Sequence, residues 1–344
     1  LVESESNDAV APTFLLTGAT GFLGSRLVRL LLDRGVPPDH LRCLVRDRDR
    51  AVRAGIPEAS IRLGDLGEAA AGTGLAAAAA GADVVLHLAA EVKGWRDAAF
   101  SAVNVGGTGR LLRAVDDAAP GAHFVLVSSL AAAGPSVDGT GTAALPDACQ
   151  PVSAYGESKR RAEQLVLAAR SAWTIVRPPV VYGPGDAATR LLFRQANAPL
   201  TAVPVRTRPL SVIHVDDVAE ALLRVAMLRP AGAVLPLDGP ERTDTHALLR
   251  AIATASGRRA RLLPVPIAIA ALGAAASDGW AALRRRASFF SRDKLREIRA
   301  RGWVADGGPA LDRLGFAATT RLAAGLAAVA RQEGFLRGVT SATA

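Results

Sequence analysis

Residues 13–24 constrain the fold more than any other stretch. Thr13-Phe14-Leu15-Leu16-Thr17 reads as a short apolar strand that runs unbroken into Gly18-Ala19-Thr20-Gly21-Phe22-Leu23-Gly24, where a helix opens. A strand passing into a helix through a glycine turn commits the chain to strand–helix–strand units. Gly18 suits a tight turn, Gly21 lets the backbone approach a pyrophosphate, and Gly24 permits close helix packing. The free N–H groups of the first helical turn, with Thr20 beside them, then face the anion. With 33 glycines in 344 residues the triplet alone carries little weight; its place at the first strand–helix junction carries the dinucleotide expectation.

The downstream pattern agrees. Short apolar runs at residues 41–46, 61–63, 83–88, 124–128 and 173–177 alternate with helical patterns at 22–34, 74–80, 105–118 and 154–171. Nearly continuous apolar strands belong to a parallel sheet buried on both faces. The expected class is α/β, a doubly wound parallel Rossmann sheet with a smaller, mainly helical C-terminal substrate domain. Residues 13–182 and 210–238 are expected to form the dinucleotide domain, with a helix at 216–228 and a strand at 233–237. Residues 183–209 and 239–338 are expected to form the substrate domain, and 1–12 to lie outside both.

Composition removes several classes. Two cysteines, Cys43 and Cys149, cannot make a disulfide scaffold, and five scattered histidines make no metal cluster, so no metal is expected. Lys+Arg 41 against Asp+Glu 32 gives +9, but only three of those cations are lysines, Lys93, Lys159 and Lys294. Arginine runs without interleaved aromatics argue against nucleic acid. The polar, acidic start lacks a secretory pattern, which points to the cytoplasm. The most apolar window, 264–283, is interrupted by Asp278 and two glycines and reads as a packed or substrate-covering helix, with peripheral membrane contact as the lesser expectation.

The sharpest chemical feature is Tyr155-Gly156-Glu157-Ser158-Lys159. The i, i+4 spacing puts the phenol and the amine on one helix face. Two tyrosines and three lysines placed at random would meet at this spacing roughly 0.02 times. A neighbouring ammonium favours phenolate, and such a tyrosine can exchange a proton with a carbonyl or alcohol oxygen. Ser128-Ser129 ends a strand 26 residues earlier, where a hydroxyl can polarise a substrate carbonyl. Arg46 ends the second strand, where an acid would favour NAD and an arginine suits a 2′-phosphate, so NADP(H) is preferred; Asp47 keeps NAD(H) open. Asp65, after the third strand, is placed to accept from adenine or to cap a turn.

Taken in order, these motifs resemble the extended branch of the short-chain dehydrogenase/reductase superfamily. The resemblance also runs through His87-Leu88-Ala89-Ala90, Asn104-Val105-Gly106-Gly107-Thr108, Arg177-Pro178-Pro179-Val180-Val181-Tyr182-Gly183-Pro184 and His214-Val215-Asp216-Asp217. It implies Tyr155 as general acid/base, Lys159 as its pKa-lowering and ribose-binding partner, Ser129 orienting the carbonyl and Asn104 supporting a proton relay. It further implies Phe22 and Leu23 amides on pyrophosphate, Asp65 and Leu66 on adenine, Leu88, Ala89 and Ala90 on the cofactor's inner side, and Pro179 and Val180 at the carboxamide. Within that branch the strand ending Val45-Arg46-Asp47 looks like dihydroflavonol-reductase types and Ser128–Pro135 like 3β-hydroxysteroid-dehydrogenase types, while Ala132-Ala133-Gly134 stands where sugar-nucleotide epimerases carry Val-Tyr-Gly.

The resulting expectation is an NADP(H)-dependent reductase or dehydrogenase of a small hydrophobic ketone or alcohol. Glu91, Lys93, Trp95 and Tyr182 are the candidate substrate contacts. Helices 105–118 and 154–171 are the candidate homodimer surface. The alternatives are an NAD-dependent sugar-nucleotide epimerase or dehydratase, and a nonenzymatic NADP-binding sensor.

Overall fold

The computed structural model describes residues 11–67, 74–92, 100–136, 148–268 and 292–336. Twelve strands occur among them: β1 (Phe14–Thr17), β2 (Leu41–Val45), β3 (Ile61–Leu63), β4 (Val84–His87), β5 (His123–Val127), β6 (Trp173–Arg177), β7 (Val180–Tyr182), β8 (Thr201–Pro204), β9 (Pro209–His214), β10 (Ala233–Pro236), β11 (Arg242–Asp244) and β12 (Leu262–Val265). Seven make one sheet in the order β10-β6-β5-β4-β1-β2-β3, and every pair in it is parallel. This is the doubly wound arrangement, and its order reverses beside β1.

The sheet forms where the apolar runs predict it because both faces are covered. Every residue of β1, β4 and β5 is buried. Helices Phe22–Asp33 and Val215–Leu228 cover one face, where Leu27, Leu31, Leu222 and Val225 meet Leu16 and Leu86. On the other, Leu111, Val115, Ala162 and Val166 from helices Thr108–Ala118 and Ala154–Leu167 meet Leu15, Val85 and Phe124. Parallel strands place all their carboxyl ends along one edge, so residues that follow them converge there.

The later region is mainly helical, as expected, with short strands added. Besides helices Ala187–Ala196, Thr245–Ala255, Gly308–Leu314 and Leu322–Gln332, it holds two small sheets, β11-β9-β7 and β12-β8. Pro264 lies inside β12 instead of opening a helix; at the edge of a two-stranded sheet its missing N–H costs no ladder bond. Residues 269–283 of the apolar window lie outside the described residues. A third cluster, with Phe193, Val203, Leu249, Leu326 and Tyr182, forms the core of this region. No helix among the described residues is long and apolar enough to cross a membrane.

Candidate active site

The glycine turn is a cradle that side chains would fill. Gly18 has φ +76°, and a Cβ there would stand 2.7 Å from Ala89 N; a Cβ on Gly24 would stand 2.1 Å from Gly18 O. The helix that follows has Gly21 at its N-cap and no side chain capping its first turn. The amides of Phe22 and Leu23 are thus left for an anion, and these residues fit the pyrophosphate of a dinucleotide. Leu88 N donates to Thr17 O and Ala89 N to Thr17 Oγ1, both at 3.2 Å, so the 88–90 segment lies against the cradle.

The rim continues across β2 and β3. Arg46 is exposed just past β2. Asp47 caps the short helix Arg48–Arg53 by accepting from Arg50 N at 2.9 Å, so its carboxylate is engaged locally. Asp65 accepts from Gly67 N at 3.1 Å, and Leu66 is buried with its carbonyl taken by Arg110 Nε at 2.7 Å. Pro179 is buried and Val180 exposed immediately beyond β6, on the same edge.

Ser129 follows β5 and caps the short helix Leu130–Ala133, accepting from Ala131 N at 3.1 Å. Ser153 caps helix Ala154–Leu167 in the same way, accepting from Gly156 N at 3.1 Å. Gly156 lets that helix close on the 130–133 turn, since a Cβ would come within 2.4 Å of Ala131 O. This approach brings Tyr155 beside Ser129, a hydrogen-bonding neighbour whose hydroxyl holds the phenol's rise in check. Phe100 meets the Tyr155 ring edge-on, with centroids 6.1 Å apart. Ser128 turns elsewhere, donating to Glu163 Oε1 at 2.5 Å.

The protonation pattern differs from the one the Tyr–Lys spacing suggests. Burial pushes the Tyr155 phenol up to about 12; the Ser129 hydroxyl opposes that rise and the Glu297 carboxylate adds to it. The buried Lys159 ammonium donates to Val127 O at 2.7 Å instead of acidifying the phenol. Burial lowers Lys159 itself to about 8, against the pull of Glu163. With the protein's own groups, Tyr155 is therefore a protonated donor at neutral pH. His87, between Thr17 Oγ1 and Thr108 Oγ1 at 2.7 and 2.9 Å, is lowered to about 3 by burial and by Lys159, and is a neutral stitch.

Asn104 sits in a π-helical segment, Ser101–Gly107, where the widened turn aims its amide at two elements. Its Oδ1 accepts from Glu91 N at 2.7 Å, and its Nδ2 donates to Glu91 O at 3.0 Å and Ser158 Oγ at 2.9 Å. Both amide protons are used in bracing the loop after β4 to the tyrosine helix. Among the substrate candidates, Glu91 enters the site through that brace. Tyr182 is only 4% exposed and packs edge-on to His214 inside the later region's core, so its ring serves packing. Lys93 and Trp95 lie outside the described residues. Glu163, which no motif marks, and Arg177, which heads a motif but had no role assigned, form a buried pair joined by bonds of 2.8 and 2.7 Å. Glu163 falls four residues after Lys159, and Arg177 is the one charge in an apolar strand, so both carried a signal. Among the described residues neither cysteine forms a disulfide and no cluster could hold a metal.

A doubly wound sheet with a dinucleotide cradle and a Ser–Tyr–Lys constellation on one edge defines a nicotinamide-dependent class. Residues 14–234 match the NAD dependent epimerase/dehydratase family, and the chain belongs to it. It is an NAD(P)-dependent enzyme acting on CH–OH or C=O groups, of the extended short-chain dehydrogenase/reductase type. It is 35% identical over 301 residues to a ceramide reductase of Caulobacter vibrioides, covering 86% of each chain. A 3β-hydroxysteroid dehydrogenase/Δ5→4-isomerase of Mycobacterium tuberculosis is 36% identical over 198 residues, 53% of this chain and 49% of that one. Among solved structures, MoeE5 in complex with UDP-glucuronic acid and NAD superposes with a TM-score of 0.71 at 26% identity, covering 94% of this chain and 99% of that one.

Proposed function

We propose that the protein is an NADP(H)-dependent reductase of a hydrophobic ketone, of the kind a long-chain lipid alcohol gives on oxidation. The observation that carries it is the placement of Tyr155 beside the Ser129 turn on the cradle edge, where Gly156 closes on Ala131 O, with the phenol held protonated. Ser129 orients the carbonyl oxygen, and Tyr155 delivers its proton there as the carbonyl is reduced. Phe22, Leu23, Asp65, Leu66, Leu88–Ala90, Pro179 and Val180 hold the dinucleotide, and Lys159 holds its ribose. The nicotinamide supplies the hydride. Asn104 acts through Glu91 and Ser158 as a brace. The ceramide reductase likeness favours a lipid-like substrate over a diphosphate sugar. NADPH oxidation over long-chain keto lipids, steroid ketones and 4-keto sugar nucleotides tests this, and turnover confined to the sugars would sink it.

Arg46 carries the NADP(H) preference, as it is exposed at the end of β2 while Asp47 is spent on a helix cap. Arg46→Glu is expected to raise the KM for NADPH roughly tenfold to a hundredfold, the worth of a charge-assisted hydrogen bond, with little change for NADH. Equal effects on both cofactors would remove Arg46 from 2′-phosphate binding. The epimerase or dehydratase alternative draws on the NAD and UDP-sugar complex of MoeE5. Mass spectrometry of the purified protein separates the two, because an epimerase retains NAD through its cycle.

The proposed homodimer uses helices Thr108–Ala118 and Ala154–Leu167, which lie together on one sheet face with Leu165 37% exposed. Light scattering should give a mass near twice that of the chain.

A further inference from the structure

Helix Ala154–Leu167 presents Tyr155, Lys159 and Glu163 at successive turns of one face. Each engages a different residue at the end of β5. The Ser129 hydroxyl acts on the Tyr155 phenol, Lys159 donates to Val127 O at 2.7 Å, and Glu163 Oε1 accepts from Ser128 Oγ at 2.5 Å. Arg177, at the end of β6, forks the same carboxylate, Nε to Oε1 at 2.8 Å and Nη2 to Oε2 at 2.7 Å. Glu163 and Arg177 are 0% and 1% exposed, so the pair is fully desolvated. Well-packed apolar residues often replace such a buried pair without loss of stability, so packing alone is a weak reason for its presence.

We propose that Glu163 is a positioning residue for the Ser129–Tyr155–Lys159 site: clamped by Arg177, its carboxylate pins Ser128 and supplies the negative charge that the buried Lys159 faces. The kinetic half of this rests on the reductase reading above. Consecutive residues of an extended strand end point to opposite sides, so fixing Ser128 also fixes the direction of Ser129. Ser129 has extended backbone, with φ −160° and ψ 153°. The charges around Lys159 make Glu163's role specific. Arg160 on its own helix and Arg177 from β6 are cationic, His87 from β4 is neutral above about pH 3, and burial raises the Cys149 thiol. Tyr155 remains protonated, with the Glu297 carboxylate of helix Arg292–Arg299 adding to the rise. Glu163 is the carboxylate that opposes the loss of the Lys159 proton.

Two variants separate charge from contact. Glu163→Gln keeps the shape and a hydrogen-bond acceptor but removes the charge; Ser128→Ala removes the contact and keeps the charge. The chain has only three lysines, so 13Cε-lysine NMR reads the Lys159 titration directly, without substrate or cofactor. Glu163→Gln is expected to lower its midpoint by roughly one pH unit or more, and to move the alkaline fall of kcat to lower pH by the same amount. Ser128→Ala is expected to leave the midpoint in place and lower kcat roughly tenfold, with KM changing less. If Glu163→Gln does not fold, the double variant Glu163→Gln/Arg177→Met is read against Arg177→Met alone, so that only the Glu163 charge differs, and the midpoint is expected to fall from the single variant to the double. An unchanged Lys159 midpoint overturns the proposal, and so does a Ser128→Ala enzyme with wild-type kcat. A wild-type protein that reduces no ketone overturns the reductase reading alone, because the NMR midpoint still decides the role of Glu163.

Discussion

Tyr155→Phe is expected to lower kcat for ketone reduction by about 10²–10⁴-fold, the usual worth of a positioned proton donor. The ring would stay edge-on to Phe100, and helix Ala154–Leu167 would keep its Ser153 cap and its Lys159 bond to Val127 O. Only the hydroxyl and its interaction with Ser129 are lost, so stability should change by no more than about 1 kcal/mol and NADPH affinity should hold. The chain's other tyrosine is an internal control. Tyr182 Oη is buried without a hydrogen-bond partner, so Tyr182→Phe should be silent in kcat and neutral or slightly stabilising. Steady-state kinetics and thermal unfolding of the two variants read this contrast, and comparable losses from both would remove Tyr155 from the chemistry. The wild-type pH profile follows from the same groups. The phenol, raised to about 12, keeps its proton across the working range, whereas Lys159, lowered to about 8, loses its charge first. Reduction should therefore fall on the alkaline side near pH 8.

The central sheet was legible because burial on both faces writes itself as unbroken apolar runs. Residues 61–63 and 173–177 match β3 and β6, and the other five strands of the sheet agree within a residue or two at each end. The small sheets carry no such mark. β11 is Arg-Thr-Asp, and β12 is partly exposed and contains a proline. These strands depend on partners far along the chain, which periodicity cannot show. At the site, the i, i+4 spacing was enough to place Tyr155 and Lys159 on one face. It could not supply the burial that sends the phenol up, nor the Val127 carbonyl that takes the amine. Asn104 shows the same limit. Its motif marks a position, but only the π-helical turn reveals that its amide reaches Glu91 and Ser158.

Gly24→Ala is expected to destabilise the protein by about 1–3 kcal/mol and to abolish saturable dinucleotide binding. The sign runs against helix propensity. Alanine inside an exposed helix ordinarily gains roughly 0.5–1 kcal/mol over glycine. At position 24, however, the new Cβ would stand 2.1 Å from Gly18 O and 2.8 Å from Gly18 C. These are backbone atoms of the turn itself and cannot swing aside as a side-chain tip would. Relief requires the helix to move off the sheet or the turn to open, and either motion takes the Phe22 and Leu23 amides away from the pyrophosphate. Gly109 in helix Thr108–Ala118 tests the steric argument with the same substitution. A Cβ there would meet nothing closer than Leu165 Cδ1 at 3.5 Å, an ordinary contact. Gly109→Ala should therefore stabilise by the propensity gain and leave dinucleotide binding alone. Thermal unfolding with and without NADPH measures both terms. Wild-type should show a ligand-dependent rise in Tm, Gly109→Ala the same rise from a higher base, and Gly24→Ala a lower base with no rise. A Gly24→Ala protein that still gains stability from NADPH would mean that the 18–24 turn is not where the dinucleotide binds.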